Sequence, residues 1–592
     1  MSIKPTRGGN KDGRHQEAMD WLRRYATGYH KWQQAQHDGV TVFYRPLGVV
    51  EKGFDNDGIY HEGRADINLA MSFEIKTTKS KAQLRRHILL AWTNLRLRHT
   101  LLCATATGPA EYMDDDAVRK SDRFFAIERP KDFEHAFESA GGPVVFLEDH
   151  YSSVDADQLF FHAQNVARAF DAGKSLVKVM VLPLERTGPT TSSLRFLFVI
   201  AHQISDGLTN GHWIGDFKQL LNKKTDELQS AISPLISTLH ERLPPSQEDL
   251  YPPISGSRAR QRWFWAITLV LRHVQKPLPP AFQNPLRFPN APIKAVGPEA
   301  RTFDRVLDYS KVPPLNAARV AARIGRDGTR RLHSVCRQVG CSIGAGSFVL
   351  AGIVMMEIYE KRFPDVPLSE RSPFIGSFPI NPRPFFNHTA KPDSLMLAFS
   401  DGVVLPFLSS DLDLDGRIRL LVRSAQRQLS RYQKRPRNDG AVNMLEYMGP
   451  RGAGRVVAMN YLDVIERANI KLPDHMRRNF QYQEVLPKQA NPTLATCGVS
   501  SVGRSDPGMR PGQFDLSKPL AAEEDVLVAD IRSTAQNVRP RDGEFLVGIW
   551  GSDDSIDASV SYDSSAIDPA WAGVWKEKME TILEGQTGQA RL

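Results

Sequence analysis

The feature that most limits how this chain can fold is a band of proline between Leu243 and Lys294, where LPP, YPP, PLPP, NPLRFPN and APIK follow one another. Proline has no amide donor and a fixed φ, so the band cannot form the interior of a sheet and reads as a connection between lobes. The 592 residues are several times the usual length of one domain, so two lobes with sizeable cores are expected on either side of it. The division that follows is a polar leader over 1–39, an N-terminal lobe over 40–242, a crossover over 243–300 and a C-terminal lobe over 301–592.

Inside the crossover lies an apolar run, WFWAITLVL from Trp263 to Leu271. It is shorter than the roughly 20 helical residues needed to cross a bilayer. Arg258, Arg260, Arg262, Arg272 and Lys276 flank it. Two readings stay open: a helix packed on the body of the protein, or one in peripheral contact with a membrane surface.

A composition of 41% hydrophobic and 24% charged residues is that of a soluble globular protein. The net charge of +9, from 76 basic and 67 acidic residues, is too mild for a nucleic-acid partner and favours anionic ligands. Cys103, Cys336, Cys341 and Cys497 are scattered, with no CxxC pair, which argues against a disulfide framework or a metal centre. The first twenty residues lack a signal-peptide core, so a cytoplasmic monomer without a transmembrane segment is expected, and the Asn387-His388-Thr389 sequon carries no meaning there.

Patterning predicts mixed α/β lobes. Met71 to Thr77 reads as a strand, followed by a helix from Lys79 to about His99 that buries Leu84, Ile88, Ala91, Trp92 and Leu95 at three- and four-residue steps. Further strands are expected at Pro143 to Leu147 and Ser175 to Pro183. After the crossover, Val306 to Asp308 reads as the start of a strand, Leu315 to Gly340 as helix, and Ser342 to Lys361 as an apolar helix capped by Ser342. A helix from Arg417 to Gln433, strands at Leu494 to Val502 and Phe545 to Trp550, and a helix from Pro569 to Leu583 complete the plan.

Several motif matches fail on chemistry. DLDLDG, Asp411 to Gly416, imitates an EF-hand start, but Val422 stands where a bidentate Glu is needed, and Asp415 reads instead as a helix cap. MGPRGAGR, Met448 to Arg455, lacks the Lys-Ser/Thr of a phosphate loop. There is no HExxH, and GCSIG at Gly340 to Gly344 follows a helix-like segment where a nucleophile elbow requires a strand.

What remains is FVIAHQISDG, Phe198 to Gly207, in which the strand-like run LRFLFVIA ends at His202 and gives way to a polar turn and an amphipathic segment. A histidine there is either structural or a base held rigidly at a strand tip. The spacing H202-Q-I-S-D206-G207 resembles the HxxxDG motif of the acyltransferase superfamily that includes the BAHD enzymes, chloramphenicol acetyltransferase and the condensation domains of nonribosomal peptide synthetases. LRLRHTLL (Leu95 to Leu102), GSFPINPRPFF (Gly376 to Phe386) and LVGIWGSDDSIDASVSYDSSAID resemble that superfamily's other conserved stretches, in the order it requires. The look is nearest to the fungal trichothecene 15-O-acetyltransferase type. The DFGWG box of the plant enzymes is absent, with GIWG at Gly548 to Gly551 at best a remnant.

The resemblance implies two chloramphenicol-acetyltransferase-like lobes of mixed sheet and helices with a channel between them. It implies His202 as general base, Asp206 turned away to pair with Arg383, and Gly207 permitting a tight turn. Ser500 and Ser501 are oxyanion candidates, with plain structural serines as the alternative. Lys434, Arg435 and Arg437 are candidates for CoA phosphates, with a solvated charge run as the alternative. No metal and no tightly bound cofactor is expected, acetyl-CoA or another acyl-CoA being a co-substrate. The implied function is transfer of a short acyl group to a hydroxyl of a small secondary metabolite, such as a terpenoid or polyketide. A condensation-type enzyme with a carrier-bound donor, and a catalytically silent binding member of the fold, are the alternatives.

Overall fold

The computed structural model describes residues 22, 24–114, 122–254, 256–290, 292–386, 390–432, 453–477, 494–504, 510–520 and 526–584. Two mixed sheets are built from β1 (Ile67–Thr77), β2 (Val144–Phe146), β3 (Val177–Val181), β4 (Ser192–Ile200), β5 (Ala317–Ile324), β6 (Phe374–Ser377), β7 (Val403–Leu405), β8 (Cys497–Arg504), β9 (Leu527–Val538), β10 (Phe545–Gly551) and β11 (Ile556–Asp563). The first sheet runs β9-β1-β4-β3-β2 and the second β5-β11-β10-β8-β6-β7. Each sheet is covered by helices around its own core, giving the two lobes.

β4 lies between β1 and β3 and is buried on both faces by a separate core on each side. Phe196, Phe198 and Ile200 enter one core with the covering helices, while Leu197 and Val199 enter a second core with Met180 and Phe303. On the first face lie α2 (Lys81–Arg98) and α3 (Gly207–Leu221), the helix α1 (Val49–Tyr60) preceding β1 in the chain. Ser80 and Gln83 form a reciprocal capping box at the start of α2, and Leu84, Ile88, Ala91, Trp92 and Leu95 are all buried. Burial of a side chain the size of Leu95 is worth about 1.5–3 kcal/mol.

The crossover contributes α4 (Arg258–Val274). The C-terminal lobe then adds α5 (Arg326–Gln338), α6 (Ile343–Arg362), α7 (Leu414–Leu429), α8 (Ala453–Ile470) and α9 (Pro569–Thr581). Ser342 caps α6 by accepting from the Ala345 amide at 3.3 Å. A Cβ on Gly346 would lie 2.4 Å from Cys336 Sγ, so glycine is what lets α5 and α6 approach. Among the described residues α6 is the helix long and apolar enough to cross a membrane, and most of it is buried in the lobe core.

Three expectations need correction. Leu315 to Gly340 is not one helix: β5 pairs antiparallel with β11 from Ala317↔Asp563 to Ile324↔Ile556, and helix begins only after Gly325. The Ala/Arg composition of AARVAARI favours helix, and a long-range strand partner overrides it. Val306 and Leu307 sit in a turn, buried beside Phe303. The cap of α7 is Asp413, which accepts from the Gly416 amide at 2.8 Å, while Asp415 pairs with Arg331.

Two facts of topology cross the expected divisions. Gln33–His37 is a strand paired with Val40–Pro46. More consequentially, β9 lies between 301 and 592 in sequence yet forms an edge of the first sheet, antiparallel to β1 along its whole length. Arg539, just past β9, is buried and donates to the carbonyls of Glu62, Val166 and Ala163, which fixes the chain where it leaves the sheet.

Candidate active site

His202 stands two residues beyond the end of β4, so its backbone is fixed by a strand with neighbours on both sides. Its Nδ1 lies 2.7 Å from the carbonyl oxygen of Ser205, which can only accept, so Nδ1 carries the proton and Nε2 the lone pair. The ring stacks on Phe54 of α1 with centroids 4.1 Å apart and planes 20° apart. Burial pushes the imidazole pKa down to about 4, and the nearby Arg541 charge works in the same direction. Backbone hydrogen bonding and the Asp206 charge oppose this without reversing it. At neutral pH the ring is a neutral base with Nε2 free of that bond.

Asp206 takes no hydrogen bond from His202. Its Oδ1 accepts from the amides of Leu208 at 3.0 Å and Thr209 at 2.9 Å, capping α3. Its Oδ2 accepts from Arg383 Nη2 at 2.7 Å and from the Met396 amide at 3.0 Å. Arg383 Nη2 also donates to the Ser394 carbonyl at 2.6 Å and to Thr209 Oγ1 at 3.2 Å. The carboxylate thus ties the start of α3 to two loops of the C-terminal lobe.

A second group of charges flanks the histidine and was not found by sequence reasoning. Asp57 of α1 is fully buried and is paired with Arg64, Lys471 and Arg541. Lys471 Nζ and the Arg541 guanidinium also lie over the Phe54 ring, 4.6 and 5.5 Å from its centroid. Burial works against the Asp57 charge, but the three cations win and hold its pKa below the ordinary carboxylate range. Burial and Arg541 together press the Lys471 pKa down to about 7. These residues come from α1, from just after α8 and from just after β9, so no local spacing announces them.

α1 is itself held from the crossover. Glu248 accepts from the amides of Val49 at 2.8 Å and Val50 at 3.4 Å, and burial raises its pKa to about 7. Asn56 on the same helix donates to the Ala468 carbonyl of α8 at 3.0 Å. Phe54 is therefore placed from the crossover and from the C-terminal lobe.

Of the two serine candidates, Ser501 is exposed on the face of β8 that carries the core residues Cys497 and Val499, with Oγ 4.0 Å from where a Cβ on Gly344 would stand. Ser500 points to the opposite face. Val502, where the pairing of β8 with β10 shifts register, approaches α3 so closely that a Cβ on Gly207 would be 3.3 Å from its Cγ1. Lys434, Arg435 and Arg437 lie outside the described residues.

Among the described residues, one trio of metal-ligand type, His99, His212 and Asp393, has its donor atoms close together. His99 Nδ1 is 2.6 Å from Asp393 Oδ1 and its Nε2 is 3.2 Å from Asp216 Oδ2. Burial opposes its charge, yet the two carboxylates raise its pKa above the ordinary histidine value. Both ring nitrogens donate, so this cluster is a salt-bridged clasp between α2, α3 and the 390s loop. A ring in that state has no lone pair for a metal.

Two helix-covered mixed sheets, interlocked by β9, give this chain the two-lobed fold seen in a solved acyltransferase structure. Over 93% of this chain and 96% of the other, it superposes on the trichothecene 15-O-acetyltransferase of Fusarium sporotrichioides with a TM-score of 0.57 at 13% identity. The condensation domain of the monacolin K polyketide synthase covers 91% of this chain and 96% of its own, with a TM-score of 0.47 at 10% identity. The first condensation domain of the calcium-dependent antibiotic synthetase covers 93% and 95%, with a TM-score of 0.46 at 9% identity. No family model and no curated protein matches the sequence.

Proposed function

We propose that the protein is a CoA-dependent O-acyltransferase that moves an acetyl or other short acyl group onto a hydroxyl of a small metabolite, with His202 as general base. The observation that carries this reading is the fixed tautomer of His202, with Nδ1–H bound to the Ser205 carbonyl and the basic Nε2 left over. The acceptor O–H gives its proton to Nε2 as its oxygen attacks the thioester carbonyl, forming the new C–O bond and an oxyanion. Collapse breaks the C–S bond, and the departing thiolate takes the proton back from the imidazolium. Such a base contributes roughly 10²–10⁴ in rate. Ser500 and Ser501 of β8 are the hydroxyl candidates for the oxyanion. Asp206 and Arg383 position the base and stay out of the chemistry.

The test is incubation with acetyl-CoA and a panel of hydroxylated terpenoids and polyketides, read as free thiol release, with His202→Ala as the control. Acceptor-dependent thiol release that is lost in the variant supports the reading. Full activity of His202→Ala overturns the mechanism. Turnover only with a carrier-bound thioester assigns the condensation-type alternative.

A further inference from the structure

α4 is built with two apolar faces. The inner one, Phe264, Trp265 and Thr268, is buried against α8 and the Tyr25 ring, which meets Trp265 edge-on at 5.2 Å. Arg272 locks that face by donating to Asp463 and Glu466 of α8, each at 2.7 Å. The outer face carries Trp263, Ile267, Val270 and Val274, exposed to 68%, 41%, 44% and 59%. Their spacing of four, three and four residues puts all four within an arc of about 60° at 100° per residue.

The charge carried by this segment has one sign, and the acids that meet it from elsewhere, Asp463, Glu466 and Asp401, are bonded to Arg272 and Gln275. From residue 250 to residue 298 the chain contains no Asp or Glu, and it contains seven Lys and Arg. Arg258, Arg260 and Arg262 are exposed at the N-terminal end of the stripe, with no ion pair among the described residues, and exposed Lys276 lies just beyond its C-terminal end. An outward tryptophan and aliphatic row bordered by unpaired cations matches the chemistry of a helix seated at a headgroup layer. A second copy of this chain would bring the same cations to the contact and be repelled.

We propose that the outer face of α4 docks on an anionic lipid surface, with Trp263, Ile267, Val270 and Val274 entering the acyl boundary while Arg258, Arg260, Arg262 and Lys276 meet lipid phosphates. The docking does not depend on the acyl-transfer reading. α4 packs on α8, and α8 packs on α1, which carries Phe54, so the lipid-facing helix and the His202 region share one apolar cluster.

The full-length protein is sedimented with vesicles of phosphatidylcholine alone and with vesicles containing about 30% phosphatidylserine, a content that gives a negative surface potential. Binding is expected to the anionic vesicles and to fall as salt rises. Ile267→Asp with Val270→Asp should lower it at least about tenfold. Each of Arg258→Gln, Arg260→Gln and Arg262→Gln should lower it up to about fivefold. All these positions are exposed, and unchanged circular dichroism and melting temperature confirm folding. The proposal is overturned by three outcomes: no pelleting with anionic vesicles, equal pelleting with both vesicle types, or a dimer in light scattering that the Asp pair dissociates.

Discussion

Asp206 and Arg383 are 177 residues apart in sequence and 2.7 Å apart in space. The carboxylate that completes HxxxDG is fully occupied by this guanidinium and three backbone amides, so its work is to join the lobes and hold α3 at its first turn.

Removing one partner of such a buried pair leaves an uncompensated charge, which costs about 3–5 kcal/mol. Asp206→Ala should therefore reduce stability by that amount in urea unfolding, and turnover should fall with it. Arg383→Lys keeps the charge but cannot reach Asp206, Ser394 and Asn381 together, so it should recover only part of the loss.

The depressed pKa of His202 fixes the sign of its pH dependence. The native ring stays neutral from the ordinary value of 6.5 down to about 4, whereas in the unfolded chain it takes up a proton below 6.5. Its contribution to stability is present above 6.5 and lost as pH falls from there towards 4. Urea unfolding between pH 7 and 4 should show a shallower acid slope in His202→Gln than in the parent. The acid limb of kcat/KM in the parent should lie well below 6.5.

His99 is predicted to behave oppositely. Its pKa is raised in the folded state, so its clasp to Asp216 and Asp393 is complete below 6.5 and weakens as pH rises through the raised value. His99→Gln should remove a loss of stability on the alkaline side, measured by melting temperature from pH 6 to 9.

Phe54 stacks on His202, and under the proposed mechanism that stack holds the base. A ring pair contributes about 0.5–1.5 kcal/mol beyond area burial. Phe54→Leu should reduce kcat by about two- to tenfold with a small change in melting temperature. A loss of stability without change in kcat would assign the ring to packing alone.

Asp57→Asn leaves Arg64, Lys471 and Arg541 gathered without their shared carboxylate. A destabilisation of about 3–5 kcal/mol in denaturant unfolding is expected.

What the sequence made legible was local and periodic: the buried face of α2, the capped α6, the buried β4, and a histidine at its tip. The Asp206 to Arg383 pair became readable only through the resemblance, since nothing near either residue points to the other. β5 was misread because AARVAARI has a helix former's composition and a strand's partner some 240 residues away. The Asp57 group stayed invisible for the same reason: Arg541 bonds a carboxylate 484 positions earlier. Residues that a spacing rule relates lie within a few turns of one another, and this site is assembled by tertiary topology.

β9 carries a consequence for how the molecule is made. The edge of β1 waits for a partner that is synthesised more than 450 residues later. During translation the N-terminal half emerges with an open strand edge, which is a template for pairing with the wrong chain. Expression of the N-terminal half alone would yield a sheet without its edge strand, and the C-terminal half alone would carry β9 without a partner.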